Sequence, residues 1–260
     1  MARQRLDNLI AERGLAPSRT AAATSIRAGL VRVGRGGERA SKPSQLVAAD
    51  VAIEMEEGRR FASRGGLKLE AALEELAVDV SGLDCLDVGA STGGFTDCLL
   101  QHGAARVIAL DVGSGQLDWE LRNDERVIVL EGVNARHLDV DELPFAAALA
   151  TIDVSFISVA KVLQPVTAAM ADDGEVLAMV KPQFELGKGR VGKGGVVRSS
   201  EERREAVGTV VATASQLGFG TRGVAPAGVP GPKGNQEFFV HLVRDGGAED
   251  PRRLIDEGVR

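Results

Sequence analysis

The 260-residue chain has no tyrosine, one tryptophan, two cysteines and three histidines, and aromatic residues make up only 3% of it. Cys85 and Cys98 each lie inside an apolar run and lack CxxC spacing, so they read as reduced core thiols of a cytoplasmic protein. No metal site is expected. Long apolar runs are missing as well. Phe145 to Ala150 falls far short of the ~20 residues that cross a bilayer, and Arg3, Arg5, Asp7 and Glu12 interrupt the start. Neither a membrane span nor a signal peptide is expected. What is present is 44% hydrophobic residues, enough for one or two globular domains with a proper core.

The net charge of -6 is unevenly spread. Residues 1 to 60 carry 11 Lys plus Arg against 7 Asp plus Glu, and the other 200 carry 20 against 30. Within residues 1 to 45 the balance is 9 against 3, a local excess suited to a phosphate-facing surface, although a solvated basic face has the same composition.

Apolar residues at helical spacing follow Arg5, Gly14 stops that helix, and Ser18 can cap a second one over Thr20 to Ala28. Leu30 to Val33 alternates as a short strand, Lys42-Pro43-Ser44 turns, and Val51 to Ile53 reads as a further strand. The order Arg-Leu-Asp, Gly-Leu, Ser-Arg, Ile-x-x-Gly-x-Val-x-Val, Lys-Pro-Ser resembles the S4 RNA-binding domain over residues 3 to 57. The resemblance implies RNA contacts by Arg5, Arg19, Arg27, Arg32 and Lys42.

From residue 83 apolar strand-like runs alternate with amphipathic helix-like ones: Cys85–Val88, Thr96–His102, Val107–Asp111, Val127–Leu130, Ala147–Val154, Val159–Met170 and Val176–Lys181. This pattern predicts an α/β fold, a doubly wound Rossmann-like parallel sheet with ligands beyond the carboxyl ends of its strands. After the first strand comes Asp87-Val88-Gly89-Ala90-Ser91-Thr92-Gly93-Gly94-Phe95. The glycines let backbone approach a ligand, and Asp87 can accept from an ammonium group or water. Asp111, 22 residues after Gly89, ends the next strand, where a carboxylate can hold ribose hydroxyls. Lacking GxGxxG, the loop favours S-adenosyl-L-methionine over a dinucleotide. Gly89-Ala-Ser-Thr-Gly93 also satisfies the nucleophile elbow of α/β-hydrolases, with Ser91 as nucleophile, but neither an upstream oxyanion strand nor a triad setting for His102, His137 or His241 is evident.

Charged residues stand at further strand ends: Lys68 before the first strand, Asp153 after Ala147–Ile152, Lys181 after Val176–Val180, and Glu237 at the mouth of the last strand. A cationic glycine-rich stretch, Gly187 to Gly195, reads as a loop closing on RNA phosphates through Lys188, Arg190 and Lys193; Arg64 sits ahead of Lys68.

Ser63-Arg-Gly-Gly-x-Lys68, the Asp87 to Thr96 loop, Asp153-Val-Ser-Phe-Ile-Ser, Val180-Lys-Pro-Gln-Phe-Glu and Gly234-Asn-Gln-Glu-Phe together resemble the TlyA family over essentially the whole chain. Its members are S4-plus-FtsJ-like rRNA 2'-O-methyltransferases, historically labelled haemolysins. The resemblance implies a catalytic tetrad of Lys68, Asp153, Lys181 and Glu237. It places the methyl donor against Asp87, Gly89 to Phe95, Asp111 and Asp153, with Phe156 beside it or in the core. It further implies cytidine targets in rRNA of both ribosomal subunits and products that sensitise ribosomes to capreomycin. Lys181 is the expected activator of the ribose hydroxyl, either taking its proton or, as an ammonium, stabilising the developing alkoxide; sequence leaves both open. A recessed donor and the hidden major groove of A-form RNA lead us to expect local unpairing or base flipping. The expected organisation is an S4-like domain over 1–58, a linker over 59–67, a methyltransferase domain over 68–245 and a tail over 246–260. The readings that compete are a non-catalytic ribosome-binding or assembly factor, the hydrolase and a membrane-active haemolysin.

Overall fold

The computed structural model describes residues 3–56, 60–187, 189–192, 194–231, 233–244 and 250–260. The chain forms two compact units, Met1–Arg60 and Phe61–Arg260.

The first unit runs β1 (Arg3–Arg5), α1 (Leu6–Glu12), α2 (Arg19–Arg27), β2 (Val31–Val33), β3 (Glu38–Arg39), β4 (Leu46–Ala48) and β5 (Ile53–Met55). Ser18 caps α2 as its spacing predicts, its hydroxyl accepting the Ala21 amide at 3.1 Å, a contact worth about 1 kcal/mol. Leu6, Leu9 and Ile10 of α1 meet Ala22 and Ile26 of α2 and Val31 and Val33 of β2 in a small core. Two differences from the sequence reading appear. The strand expected from Val51 starts at Ile53, because Val51 closes a turn onto the Ala48 carbonyl. The β1–β4 pair was not foreseen, since strands of three residues carry too little alternation to read.

The second unit runs α3 (Gly65–Glu75), β6 (Asp84–Val88), α4 (Gly94–Gln101), β7 (Arg106–Asp111), α5 (Trp119–Arg122), β8 (Val127–Glu131), β9 (Ala147–Ile152), α6 (Leu163–Ala168), β10 (Met170–Val180), α7 (Pro182–Glu185), α8 (Ser200–Gln216), β11 (Phe219–Pro226), β12 (Phe238–Arg244) and α9 (Pro251–Gly258). Seven strands form one sheet in the order β11-β12-β10-β9-β6-β7-β8. Alternate residues feed opposite faces. Leu86, Val88, Ala178 and Val180 pack with α6 and α8, whereas Cys85, Leu149, Leu177 and Met179 pack with α3 and α4. Burial on both sides is why these strands read as continuous apolar runs.

The sheet is parallel except for β12, which runs antiparallel to both β10 and β11. Among the described residues no helix lies between β11 and β12, and without a crossover the chain returns in the opposite direction. The domain limits also shift. Phe61 is 3% exposed, and a Cβ on Gly66 would sit 2.3 Å from its ring, so residues 61–67 are packed into the second unit rather than spanning between units. Residues 251–258, expected as tail, form α9, whose Leu254 is buried along with the following Val259.

Candidate active site

Strand order reverses between β6 and β9: the chain runs outward from β6 to β8, then returns to the other side of β6. A crevice opens at such a switch point. Here Gly89 (φ +89°) passes so close to β9 that a Cβ would lie 2.5 Å from the Asp153 carbonyl oxygen, so only glycine fits. The cleft beyond has a volume of about 860 Å³.

Sheet register delivers the charged residues to it. Val88 pairs with Ile152 and Ile152 with Ala178, placing Asp153 directly past the strand ends. Val180 pairs with Phe238, which sets Lys181 beside Glu237 at the same rim. Lys68 comes from the second turn of α3. All four line the cleft. They form two ion pairs, Lys68 Nζ to Glu237 Oε2 at 2.5 Å and Lys181 Nζ to Asp153 Oδ1. Lys181 also donates to Ser155 Oγ at 2.8 Å. Lys181 and Glu237 are buried, at 8% and 3% exposure, so each charge depends on its partner.

The glycine loop forms the opposite wall. Gly89, Ala90, Ser91, Thr92, Gly94 and Phe95 line the cleft; Gly93 is buried behind it. Asp87 lies deeper, with no exposure, its two oxygens accepting from Thr96 Oγ1 at 2.7 Å and Thr151 Oγ1 at 3.1 Å. Burial pushes its carboxyl up to about 7, against the pull of those hydroxyls. Asp87 therefore stands beneath the loop, not at the cleft surface. Asp111 accepts the amides of Ser91 at 2.8 Å and Gly113 at 2.7 Å and so fixes the loop's outer edge. Each of its oxygens keeps a lone pair for a hydroxyl. Phe95 is 3% exposed and stacks on Phe239 at 5.8 Å, as much core as wall. Phe156 is not core: it is 92% exposed at the cleft, in the left-handed region (φ +66°), with its ring 5.4 Å from Phe184.

The residues expected at RNA divide. Arg5 and Arg19 both donate to the buried Asp7, at 2.8–3.0 Å and 3.1 Å, and hold its carboxyl down at about 2, so both also build the small domain. Arg32 pairs with Glu56 and donates to the Gly37 carbonyl. Arg27 and Lys42 are exposed and have no partner among the described residues. Arg64 is exposed at the cleft edge. Arg190 pairs with Glu205 of α8, which occupies the charge expected to face phosphate. Lys188 and Lys193 lie outside the described residues.

Sequence reasoning passed over Ser155 and Glu185, although both stand inside quoted motifs. Glu185 accepts from Ser158 Oγ at 2.5 Å and the Val159 amide at 2.8 Å, and burial raises its carboxyl. Their signal was proximity to Asp153 and Lys181, which sequence does not reveal. The hydrolase reading finds no support: Ser91 Oγ bonds Gln116, His241 bonds Glu175, His102 bonds the Cys98 carbonyl, and His137 is exposed. Among the described residues no group of His, Cys, Asp and Glu could hold a metal, and no helix is long and apolar enough to cross a membrane.

Residues 61–244 match the FtsJ-like methyltransferase family and residues 4–53 the S4 domain. The chain is 47% identical to the 16S/23S rRNA (cytidine-2'-O)-methyltransferase TlyA of Mycobacterium tuberculosis over 98% of each chain. It is 38% identical to Hemolysin A of Brachyspira hyodysenteriae, covering 92% of this chain and 99% of that one. A solved structure of a Streptococcus thermophilus protein carried under a hemolysin name superposes with a TM-score of 0.72 at 39% identity, covering 99% of this chain and 96% of the other. With an S4 domain, an FtsJ-like domain and similarity along its whole length, the chain belongs to the TlyA family of FtsJ-like methyltransferases.

Proposed function

We propose that the chain transfers a methyl group from S-adenosyl-L-methionine to the ribose 2'-hydroxyl of cytidine in rRNA, acting on both small and large ribosomal subunits in the cytoplasm. The observation that carries this is the convergence of Lys68, Asp153, Lys181 and Glu237 in one cleft facing the glycine loop. Full-length similarity to a relative named for that reaction supports the substrate.

The cleft suits the donor: its volume is in the range of small-molecule sites, and one wall is close-approach backbone. When bound, S-adenosyl-L-methionine supplies an electrophilic methyl. Gly89 to Thr92 would bind it through backbone, and Asp111 would accept ribose hydroxyls with its remaining lone pairs. Lys181 donates to Ser155 Oγ and is ion-paired with Asp153, and its ammonium has N–H donor capacity left for the substrate oxygen. As the hydroxyl proton leaves to water, that ammonium would stabilise the negative charge left on the 2'-oxygen; the charge is used up as the oxygen–carbon bond forms and the methyl–sulfur bond breaks, with the neutral thioether as leaving group. Lys68 and Glu237 would orient the ribose; positioning is the larger demand, because the hydroxyl must sit about 3 Å from the methyl and in line with it. The S4-like unit docks RNA with Arg27 and Lys42, and Arg64 meets it at the cleft.

The test is transfer of labelled methyl to purified, unmodified small and large subunits, followed by digestion to nucleosides. Label in 2'-O-methylcytidine from both subunits is expected. Label on base atoms, or none despite demonstrated donor binding, would reject the reading.

A further inference from the structure

Two loops supply one half of the tetrad. The segment after β9 carries Asp153, Ser155 and Phe156, and the turn after β10 carries Lys181, Gln183 and Phe184. Near the strands the sheet holds them together, since Ile152 pairs with Ala178. Farther out no ladder remains. The segment 153–158 has no regular structure, and Phe156 holds a left-handed backbone that is strained for a residue with a side chain and persists only where the surroundings fix it.

Glu185 meets that need. It ends α7, four residues past Lys181, and its two oxygens accept separately from Ser158 Oγ and from the Val159 amide on the far end of the other loop. A local capping role does not account for it: the short turn at 159–161 is already capped by Ser158 itself, whose hydroxyl accepts the Ala160 amide at 3.2 Å. What Glu185 adds is a tie between loops. With it, segment 153–158 is anchored at both ends to β10 and the turn that follows, and between the anchors lie the Lys181–Asp153 pair, the Lys181–Ser155 bond and the Phe156–Phe184 contact.

We infer that Glu185 is a positioning residue for methyl transfer, stapling the Asp153–Ser158 loop to the Lys181 turn so that the Lys181 amine is aimed at the substrate oxygen. The inference rests on the methyltransferase reading above. The donor wall, Gly89 to Phe95, follows a different strand and has no bond to Glu185, so loss of the staple acts on turnover and not on donor binding.

The test compares Glu185→Ala, Glu185→Gln and Ser158→Ala with the wild type by methyl-transfer kinetics on ribosomal subunits, together with hydrogen exchange of segment 153–159 in the free protein. Glu185→Ala is expected to speed exchange at Val159 and through the loop. It should lower kcat by between about tenfold and a hundredfold, the cost of a misplacement near 1 Å, with KM for S-adenosyl-L-methionine within about twofold. Glu185→Gln can still accept from Val159 and donate to Ser158, and should restore kcat to within about threefold. If Glu185→Ala does not fold, Ser158→Ala removes one arm alone and should lower kcat by about threefold to tenfold at unchanged donor KM. Unchanged kcat in the folded variants, or equal loss in Ala and Gln, overturns the inference. A wild type that transfers no methyl to RNA fails the functional reading instead.

Discussion

Lys68 and Glu237 lie 169 residues apart in sequence, and their charged atoms meet at 2.5 Å in the cleft. Their side chains are 12% and 2% exposed, so each is the other's replacement for water. The pair couples α3, which precedes the sheet, to β12, its last strand. Removing one partner leaves a buried charge and costs about 3–5 kcal/mol, whereas replacing both with apolar residues of similar size is close to neutral. Glu237→Ala should therefore lower stability and abolish methyl transfer, while Lys68→Met with Glu237→Leu should regain stability and remain inactive. Denaturant unfolding and the transfer assay separate the two; recovery of activity in the double variant would contradict a role in the reaction.

Asp87 predicts an unusual pH dependence. Its folded carboxyl titrates at about 7, whereas an unfolded aspartate titrates at about 3.9. Between these values the folded chain holds a proton that the unfolded chain has released, so this group's contribution to stability is full below about pH 4 and falls as pH rises through about 7. The Tm of the wild type relative to Asp87→Asn should decline from about pH 5 to pH 7.5 and then level off. A flat difference over that range would contradict the assignment.

Gly89→Ala puts a methyl group 2.5 Å from the Asp153 carbonyl oxygen at a φ of +89°. The strand-end loops must separate to admit it. We expect donor binding weakened by at least about tenfold, since the loop shift misplaces the site on the ångström scale. Isothermal titration with S-adenosyl-L-methionine measures the donor affinity of both proteins. Wild-type affinity in Gly89→Ala would remove the close-approach argument.

The S4-like unit separates RNA contacts from structural arginines. Arg27→Ala and Lys42→Ala should each reduce the salt dependence of RNA binding, the slope of log K against log salt, by about 1 without changing stability. Asp7→Ala should instead destabilise the domain by about 1–3 kcal/mol, because Arg5 and Arg19 lose a buried acceptor. Asp7's stabilisation is present above the ordinary carboxylate range and is lost as pH falls through about 2. Filter binding at several salt concentrations, with thermal melts, distinguishes the classes; an unchanged salt slope for Arg27 and Lys42 would move the RNA face elsewhere.

The sheet was legible because strands buried on both faces leave unbroken apolar runs, and polar residues ending such runs mark its rim. Asp153, Lys181 and the Gly89 loop stood out for that reason. Pairing did not. That Lys181 takes Asp153 and Lys68 takes Glu237 follows from register across the sheet, which no local window records. The reversed β12 depended on the absence of a crossover helix. Arg5 and Arg19 read as surface cations because their acceptor, Asp7, is buried only once α1 and α2 pack. Glu185 sits in a plain motif position, and its role appears only when a loop 26 residues earlier reaches it.

The most direct test of the central claim is nucleoside analysis of rRNA from unmodified subunits treated with wild type or Lys181→Ala, each saturated with S-adenosyl-L-methionine. Lys181 holds the one cleft amine bound to both Asp153 and Ser155. The account predicts 2'-O-methylcytidine with the wild type and a loss of at least about a hundredfold in its rate of formation with the variant, at retained donor binding. Methylation at wild-type rate by Lys181→Ala, or a methyl group found anywhere but the ribose oxygen, would contradict it.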